Sequence, residues 1–271
     1  MAGSLTLDWF RITQPSPGVF AIQEPLQRER VLSYLVVADE RALLIDTGTG
    51  AGSMKAAVET VTDLPVTLVN SHTHWDHVGS NHEFTDIAVH RAEAHELAYR
   101  YHPDEIARFF AADQLLGPLP PARTLETITI GPSVPTLLLD GGETFDLGGR
   151  TFQAIHTPGH APGLLSFYDE ANGVLLTTDT AYPGPLYAYS DETNLDVYIR
   201  SMDSLADLVP NLKYVHPSHN ADLMDAALLP KMRDALIEVR DGKRPDRVDD
   251  VKATYDYDGF GIYGPLPRGD R

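Results

Sequence analysis

Cysteine is absent from the 271-residue sequence, which excludes disulfide bonds, thiolate metal ligands and cysteine nucleophiles. The sequence also lacks any run of about 18 apolar residues, the length that crosses a bilayer, so no transmembrane helix is predicted. The first ten residues have neither the basic start nor the apolar stretch of a signal peptide. We therefore predict a cytoplasmic protein.

Positive charge is scarce. Lysine and arginine number 21 against 39 aspartates and glutamates, which gives a formal net charge of −18. Such a surface repels phosphate backbones and anionic membranes. We therefore predict a small-molecule substrate, with neither a nucleic-acid nor a membrane partner, while the oligomeric state stays open.

The spacing of apolar residues predicts two β-rich halves, each flanked by helices, within one domain of residues 1–271. This order favours two sheets packed face to face with helices outside. An insertion is predicted at about residues 101–135, and a tail without assigned structure at about residues 244–271. Helices are predicted at residues 91–100, 104–116, 195–208 and 223–240, among others.

Residues 71–77 read Ser-His-Thr-His-Trp-Asp-His, which places four side chains able to bind metal within six positions: His72, His74, Asp76 and His77. Imidazole nitrogen and carboxylate oxygen are the donors that zinc, iron and manganese accept. The cluster directly follows a predicted buried strand at residues 66–69. Burying so many polar groups without partners would be costly, so the pattern predicts a metal site, and a bend in the loop would serve two ions.

Three later positions also follow predicted strands, and their loops would converge at one end of packed sheets. They are His160, Asp179 and His219. Each is a weak signal by itself, because a lone histidine is more often a turn residue and a lone aspartate a cap. Two four-coordinate ions need about eight donors including water, and seven side chains are available.

These residues resemble the motifs of the metallo-β-lactamase superfamily. The resemblance rests on His72-x-His74-x-Asp76-His77, Gly159-His160, Asp179 and His219 in that order, and on the upstream segment at residues 43–48. It covers roughly residues 18–220. It implies an α+β fold, the αββα sandwich, with two divalent metal ions, most simply Zn²⁺, although iron or manganese is possible.

The resemblance also implies a role for each residue. One metal would be held by His72, His74 and His160, the other by Asp76, His77 and His219, with Asp179 bridging. Asp46 would support the ligands from behind, since a carboxylate that accepts an imidazole N–H fixes its tautomer. The motif Asp179-Thr180-Ala181-Tyr182 is similar to that of the metallo-lactonases, in which the tyrosine meets the substrate.

The sequence departs from several branches of the family. The absence of cysteine excludes the β-lactamase subclasses with a cysteine ligand, and Asp179 disfavours the cysteine-free subclass. Glyoxalase II shares the ligands but adds a basic C-terminal domain that residues 221–271 are too short and too acidic to form. The closest motif matches are the metallo-lactonases and glyoxalase II.

The predicted activity is hydrolysis of a lactone, carboxylic ester or thioester by a metal-bridging hydroxide. Asp76 or Asp179 would carry a proton to the leaving group, and Tyr182 would stabilise the oxyanion. Aromatic residues of the insertion, including Phe109 and Phe110, suggest a partly apolar substrate. Two alternatives stay open, a β-lactam hydrolase and an iron-dependent oxidoreductase of the same fold.

Overall fold

The computed structural model describes residues 4–267, and this part of the chain falls into two compact units divided between Phe152 and Gln153. A single domain over residues 1–271 stays a prediction. The end of the predicted tail, residues 268–271, lies outside the described residues. Within the described range, none of the helices has the length and apolar character needed to cross a membrane.

The first unit contains an eight-stranded sheet whose strands follow one another in chain order. These strands are β1 (Leu5–Leu7), β2 (Phe10–Ser16), β3 (Val19–Gln23), β4 (Leu32–Val37), β5 (Ala42–Ile45), β6 (Val66–Asn70), β7 (Ile87–His90) and β8 (Leu137–Leu139). Pairing is antiparallel from β1 to β5 and parallel from β5 to β8. The carboxyl ends of β5, β6 and β7 therefore lie at one edge, where polar side chains of successive loops come together.

Two short helices belong to this unit, α1 (Met54–Glu59) and α2 (Pro103–Phe109), as does strand β9 (Thr144–Asp146). Helix α1 begins where the Ser53 hydroxyl accepts the Ala56 N–H, an N-cap that satisfies one of the unpaired donors of the first turn. Its buried residues Met54 and Val58 pack in one cluster with Leu44 and Leu68 of the sheet. The parallel strands are thus covered by an apolar helix face.

The second unit has two smaller sheets. Strands β14, β12, β11 and β10 are neighbours in that order in one sheet, and β13-β17-β16-β15 form the other. Their strands are β10 (Thr151–His156), β11 (Leu165–Asp169), β12 (Val174–Thr178), β13 (Pro185–Tyr187), β14 (Tyr214–Pro217), β15 (Arg247–Val248), β16 (Ala253–Tyr257) and β17 (Phe260–Gly264). The helices are α3 (Leu195–Ala206) and α4 (Leu228–Arg240). Their buried faces share one apolar cluster with Leu175 of β12 and Val215 of β14.

Strands β12 and β14 are parallel, with Thr178 opposite Pro217. The residues that follow, Asp179 and Ser218, are therefore neighbours at one edge of this sheet. Thr178 has a φ of 50°, which is rare for a β-branched residue. This residue lies where the pairing of β12 with β14 shifts register, and the irregularity turns the chain immediately before Asp179.

Three predicted helices need correction. Residues 91–100 form only two 3₁₀ turns, Arg91–Glu93 and Glu96–Ala98, because Glu93 turns inward and the Leu97 carbonyl accepts the Ser133 N–H. The helix predicted at residues 104–116 ends at Phe109, since the following backbone bonds to Leu26 and Arg28 instead. The helix predicted from residue 223 begins at Leu228, because the Met224 N–H donates to Val215.

Candidate metal centre

Asp46 organises the histidine loop of the first unit. It directly follows β5, and Ser71 directly follows the adjacent parallel strand β6. The Asp46 carboxylate accepts the Ser71 N–H at 2.7 Å, the Ser71 hydroxyl at 2.6 Å and His77 Nδ1 at 2.8 Å. All three residues are buried, so these charge-assisted hydrogen bonds hold the start and the end of the loop together.

This network fixes the tautomers of two histidines. His77 Nδ1 faces a carboxylate and therefore carries the proton, which leaves Nε2 with its lone pair. The Ser71 hydroxyl gives its only proton to Asp46, so His72 Nδ1, 3.0 Å from that oxygen, must be the donor. His72 Nε2 therefore also carries a lone pair that is able to bind a metal ion. The predicted role of Asp46 behind the ligands agrees with this geometry.

The four predicted ligands of the loop lie close together within the first unit. The ring of His72 is 4.5 Å from that of His74 and 4.1 Å from that of His77, measured between centroids. Asp76 Oδ2 is 3.8 Å from His77 Nε2. The ligand atoms of His72 and His74 form one close pair, and those of Asp76 and His77 another, each within 4.8 Å. Two pairs on one bent loop are the arrangement expected for two ions.

Backbone contacts hold His77 in place. The His77 carbonyl accepts the Thr47 N–H at 2.8 Å, and Asn70 donates to the same oxygen at 3.3 Å. Beyond it, the Gly79 N–H donates to Gly48 at 2.8 Å. A β-carbon on Gly79 would lie 2.2 Å from the backbone nitrogen of Gly50, so only glycine permits this close approach of the two loops.

Glu93 is a supporting residue that the sequence reasoning missed. Its Oε2 accepts the Thr73 N–H at 2.8 Å and the Thr73 hydroxyl at 2.9 Å, and Glu93 is 2% exposed. Thr73 lies between His72 and His74, so Glu93 holds the middle of the loop as Asp46 holds its ends. Its place just after β7, the strand beside β6, was the available signal.

The second unit brings the other three predicted ligands together around Asp179. His160 Nε2 lies 3.5 Å from Asp179 Oδ2, and His219 Nε2 lies 3.2 Å from both carboxylate oxygens. Ser218, which the sequence reasoning missed, donates its hydroxyl to Asp179 Oδ1. His160 Nδ1 faces the Tyr187 carbonyl at 2.9 Å and must donate to it, so Nε2 carries the lone pair on the side of Asp179.

A buried tyrosine supports this second cluster from behind. The Tyr198 hydroxyl lies 3.1 Å from the Asp179 carbonyl and 2.9 Å from the Thr180 carbonyl, and it donates its proton there. Burial raises the pKa of Tyr198 well above its ordinary value, so the phenol stays protonated. Gly159 has a φ of 141°, and a β-carbon there would lie 2.3 Å from Tyr198 Cα. Glycine therefore lets the His160 loop lie directly on Tyr198.

Tyr182 lies in this unit but has a hydrogen-bond partner already. Its hydroxyl donates to the Pro185 carbonyl at 2.9 Å and lies 3.3 Å from the Tyr187 N–H, while its ring is 4.8 Å from the ring of His219. The geometry makes Tyr182 a packing support for His219 and for the turn at residues 183–186. Its predicted contact with a substrate oxyanion would require the bond to Pro185 to break, and it stays a prediction.

Three further histidines lie outside the two clusters. Buried His216 faces the Asp222 carbonyl at 2.7 Å. His90 accepts the Ala92 N–H, and His95 is exposed beside Glu96. None of the three appears in either group of ligand atoms found within the described residues.

Comparison with known proteins gives consistent matches. The family model described as the metallo-beta-lactamase superfamily matches residues 26–247. An acyl-coenzyme A thioesterase, MBLAC2 from Bos taurus, is 28% identical over 229 residues, which cover 79% of this chain and 82% of that protein.

Solved structures agree on the fold. A metallo-beta-lactamase family protein from Thermus thermophilus is 25% identical with a TM-score of 0.58, and the match covers 83% of this chain and 81% of that one. An archaeal superfamily protein from Sulfolobus tokodaii is 19% identical with a TM-score of 0.58, covering 87% and 90%. These neighbours confirm the αββα sandwich predicted from the sequence.

Proposed function

Because the chain belongs to the metallo-beta-lactamase superfamily, we propose that it is a metal-dependent hydrolase of acyl thioesters. The network around Asp46 is the observation that carries the hydrolase proposal, because it presents two imidazole lone pairs beside the carboxylate of Asp76. The similarity to an acyl-coenzyme A thioesterase supports a thioester as the scissile bond.

The proposal combines the clusters of the two units into one dinuclear site. Neither cluster alone supplies enough donors for two four-coordinate ions, since the first has four side chains and the second three. The proposed ligands of one ion are His72, His74 and His160, and those of the other are Asp76, His77 and His219, with Asp179 shared.

The donor set fits zinc. Five imidazoles and two carboxylates are ligands that Zn²⁺ accepts at tetrahedral distances, and a sequence without cysteine offers no thiolate donor. The tautomers fixed by Asp46, Ser71 and the Tyr187 carbonyl leave Nε2 available on His72, His77 and His160. Two Zn²⁺ ions are therefore proposed, with iron or manganese as the alternatives that reconstitution distinguishes.

Bound ions of this kind polarise a carbonyl and lower the pKa of water to near 7. The protein's own carboxylates then hold and move protons. Asp179 accepts a hydrogen bond from the Ser218 hydroxyl, which orients the carboxylate, and Asp76 is buried at the bend of the first loop. Either carboxylate is suited to take a proton from water and return it to the departing group.

The hydrogen bond of Tyr182 favours a thioester over a lactone. An alkoxide leaves only with help from an acid, whereas a thiol has a pKa of about 8.5 and leaves readily as the thiolate. With the Tyr182 proton donated to Pro185, no phenol is needed for the thiolate to depart. Substitution of Tyr182 by phenylalanine tests the alternative, because a lactonase that used the phenol would lose turnover.

A substrate panel tests the proposed function. Zinc-loaded protein is expected to hydrolyse acyl thioesters, with turnover lost on chelation and restored by Zn²⁺. Lactones, carboxylic esters, β-lactams and phosphodiesters form the comparison set. Turnover of a β-lactam with none of the thioesters would overturn the thioester proposal, and oxygen consumption by the iron-loaded form without hydrolysis would favour the oxidoreductase alternative.

A further inference from the structure

An aromatic stack adjoins the metal loop of the first unit. Trp75 lies between His74 and Asp76, and its ring stacks on Phe109 at 4.2 Å with an interplanar angle of 8°. Phe110 meets Trp75 edge to face at 5.9 Å. Both phenylalanines come from the insertion, at the end of α2. The insertion therefore contacts the indole whose backbone neighbours are two proposed ligands.

Tyr101 extends this aromatic surface. Its ring lies 5.7 Å from that of Phe109, in an edge-to-face arrangement. Burial, followed by the negative charge of Asp76, raises the pKa of Tyr101 well above its ordinary value. The phenol is therefore uncharged at neutral pH and acts as an amphipathic surface near the carboxylate of Asp76.

Backbone hydrogen bonds hold the insertion in this position. The Arg28 N–H donates to Gln114 at 2.9 Å, and the Leu116 N–H donates to Leu26 at 2.8 Å. Gln27 also donates its side-chain amide to the Phe109 carbonyl at 3.2 Å. These bonds fix Phe109 against Trp75, so the stack is a preformed surface rather than a chance contact of a loose loop.

The stack is only partly covered by the protein. Phe110 is 1% exposed and anchors it, whereas Trp75, Phe109 and Tyr101 each retain intermediate exposure. Partly exposed aromatic rings beside a candidate active-site loop are typical of a ligand subsite, because their exposed apolar area is available to a ligand.

We propose that Trp75, Phe109 and Tyr101 form the wall that receives the hydrocarbon chain of the acyl group. This inference rests on the proposed function. Trp75 is the residue between the proposed ligands His74 and Asp76, so the stack adjoins the loop on which we place the scissile carbonyl. A protein partner on this surface would cover the loop that a hydrolase must leave accessible. The net charge of −18 also disfavours a polyanionic occupant.

The wall predicts a dependence on acyl chain length. Each buried methylene strengthens binding about fourfold, so kcat/KM is expected to rise severalfold per added carbon over a short series. Acyl thioesters of one small thiol, from acetyl to decanoyl, keep the leaving group constant. Phe109→Ala is expected to lower the decanoyl-to-acetyl ratio of kcat/KM at least tenfold, and Phe109→Leu to lower it less.

A matched control is the stack of Tyr257 and Phe260 in the second unit, with centroids 5.0 Å apart and an angle of 3°. Phe260→Ala also removes one ring from a stack, and it is expected to leave the decanoyl-to-acetyl ratio unchanged. Equal ratios in Phe109→Ala and the natural protein would overturn the wall while leaving the hydrolase proposal intact.

A binding measurement separates the two proposals without turnover. The chain has two tryptophans, and Trp9 is 2% exposed. Bromododecanoic acid brominated near its carboxylate is expected to quench the fluorescence of Trp75, and Trp75→Phe to remove the quenched fraction. Quenching without thioester turnover would support the proposed acyl-binding wall and contradict the hydrolase proposal. Turnover without quenching would contradict the wall alone.

Discussion

Replacement of Asp46 by alanine is expected to lower the affinity for Zn²⁺ about 100-fold and to destabilise the metal-free protein by about 3 kcal/mol. The carboxylate accepts three hydrogen bonds, from the Ser71 backbone, the Ser71 hydroxyl and His77. Its loss leaves three buried donors without an acceptor, at about 1 kcal/mol or more each. It also frees the rings of His72 and His77 to take the wrong tautomer.

Competition with a chromophoric chelator measures the zinc affinity, and urea unfolding of the metal-free protein measures the stability. Asp63→Ala is the matched control, because Asp63 is an exposed aspartate of the same unit. Asp46→Asn keeps the shape but points amide hydrogens at donors, so its zinc affinity is expected to fall as well. Unchanged zinc affinity in both Asp46 variants would contradict the supporting role.

Glu24 is expected to make the stability fall as pH rises. It is buried at 1% exposure, and Trp9 Nε1, the Thr49 hydroxyl and the Thr49 N–H all donate to it, the last at 2.7 Å. The hydrogen bonds lower its pKa, but burial outweighs them and raises the pKa to about 7. The folded protein therefore binds a proton that the unfolded chain, with its pKa near 4.5, releases earlier.

The sign of the effect follows from linkage. Between the two pKa values the folded state holds more protons, so the free energy of unfolding decreases with rising pH. The Glu24 contribution is fully present below about pH 4.5 and is lost through about pH 7. Over pH 5 to 8 the expected loss is about 2.5 kcal/mol, at 1.36 kcal/mol for each pKa unit.

The Glu24→Gln variant isolates this contribution from other titrating groups. Urea unfolding of the metal-free protein and the variant at pH 5 and pH 8 gives two differences in stability. Relative to that of the natural protein, the free energy of unfolding of the variant is expected to rise by about 2.5 kcal/mol from pH 5 to pH 8. A difference that does not change with pH, or one that changes in the opposite direction, would show that the hydrogen bonds prevail over burial.

The candidate ligands were the part of the site most easily selected from the sequence, and their binding of metal stays a prediction. His72 to His77 follow β6, and the pairing of parallel strands β5 and β6 places Asp46 beside Ser71. Each unit brings its own candidate ligands close to one another. Supporting residues such as Glu93 and Ser218 carry no motif of their own, because their role depends on strand neighbours distant in sequence.

Secondary structure was least predictable where tertiary contacts replace helical ones. Residues 91–100 have good helix formers, yet Glu93 bonds to Thr73 and Leu97 to Ser133 instead of continuing a helix. The strands of the tail were missed although a signal existed. Asp258-Gly259 is a two-residue hairpin sequence, and Tyr257 pairs with Phe260 across it.

We propose that the two metal ions take ligands from both units, and the metal content per chain tests this proposal. Elemental analysis of the zinc-reconstituted protein is expected to give two zinc ions per chain. His72→Ala and His219→Ala, one from each unit, are each expected to retain about one. A natural protein that holds no more than one ion, or a His219→Ala variant that keeps both with unchanged affinity, would contradict the claim.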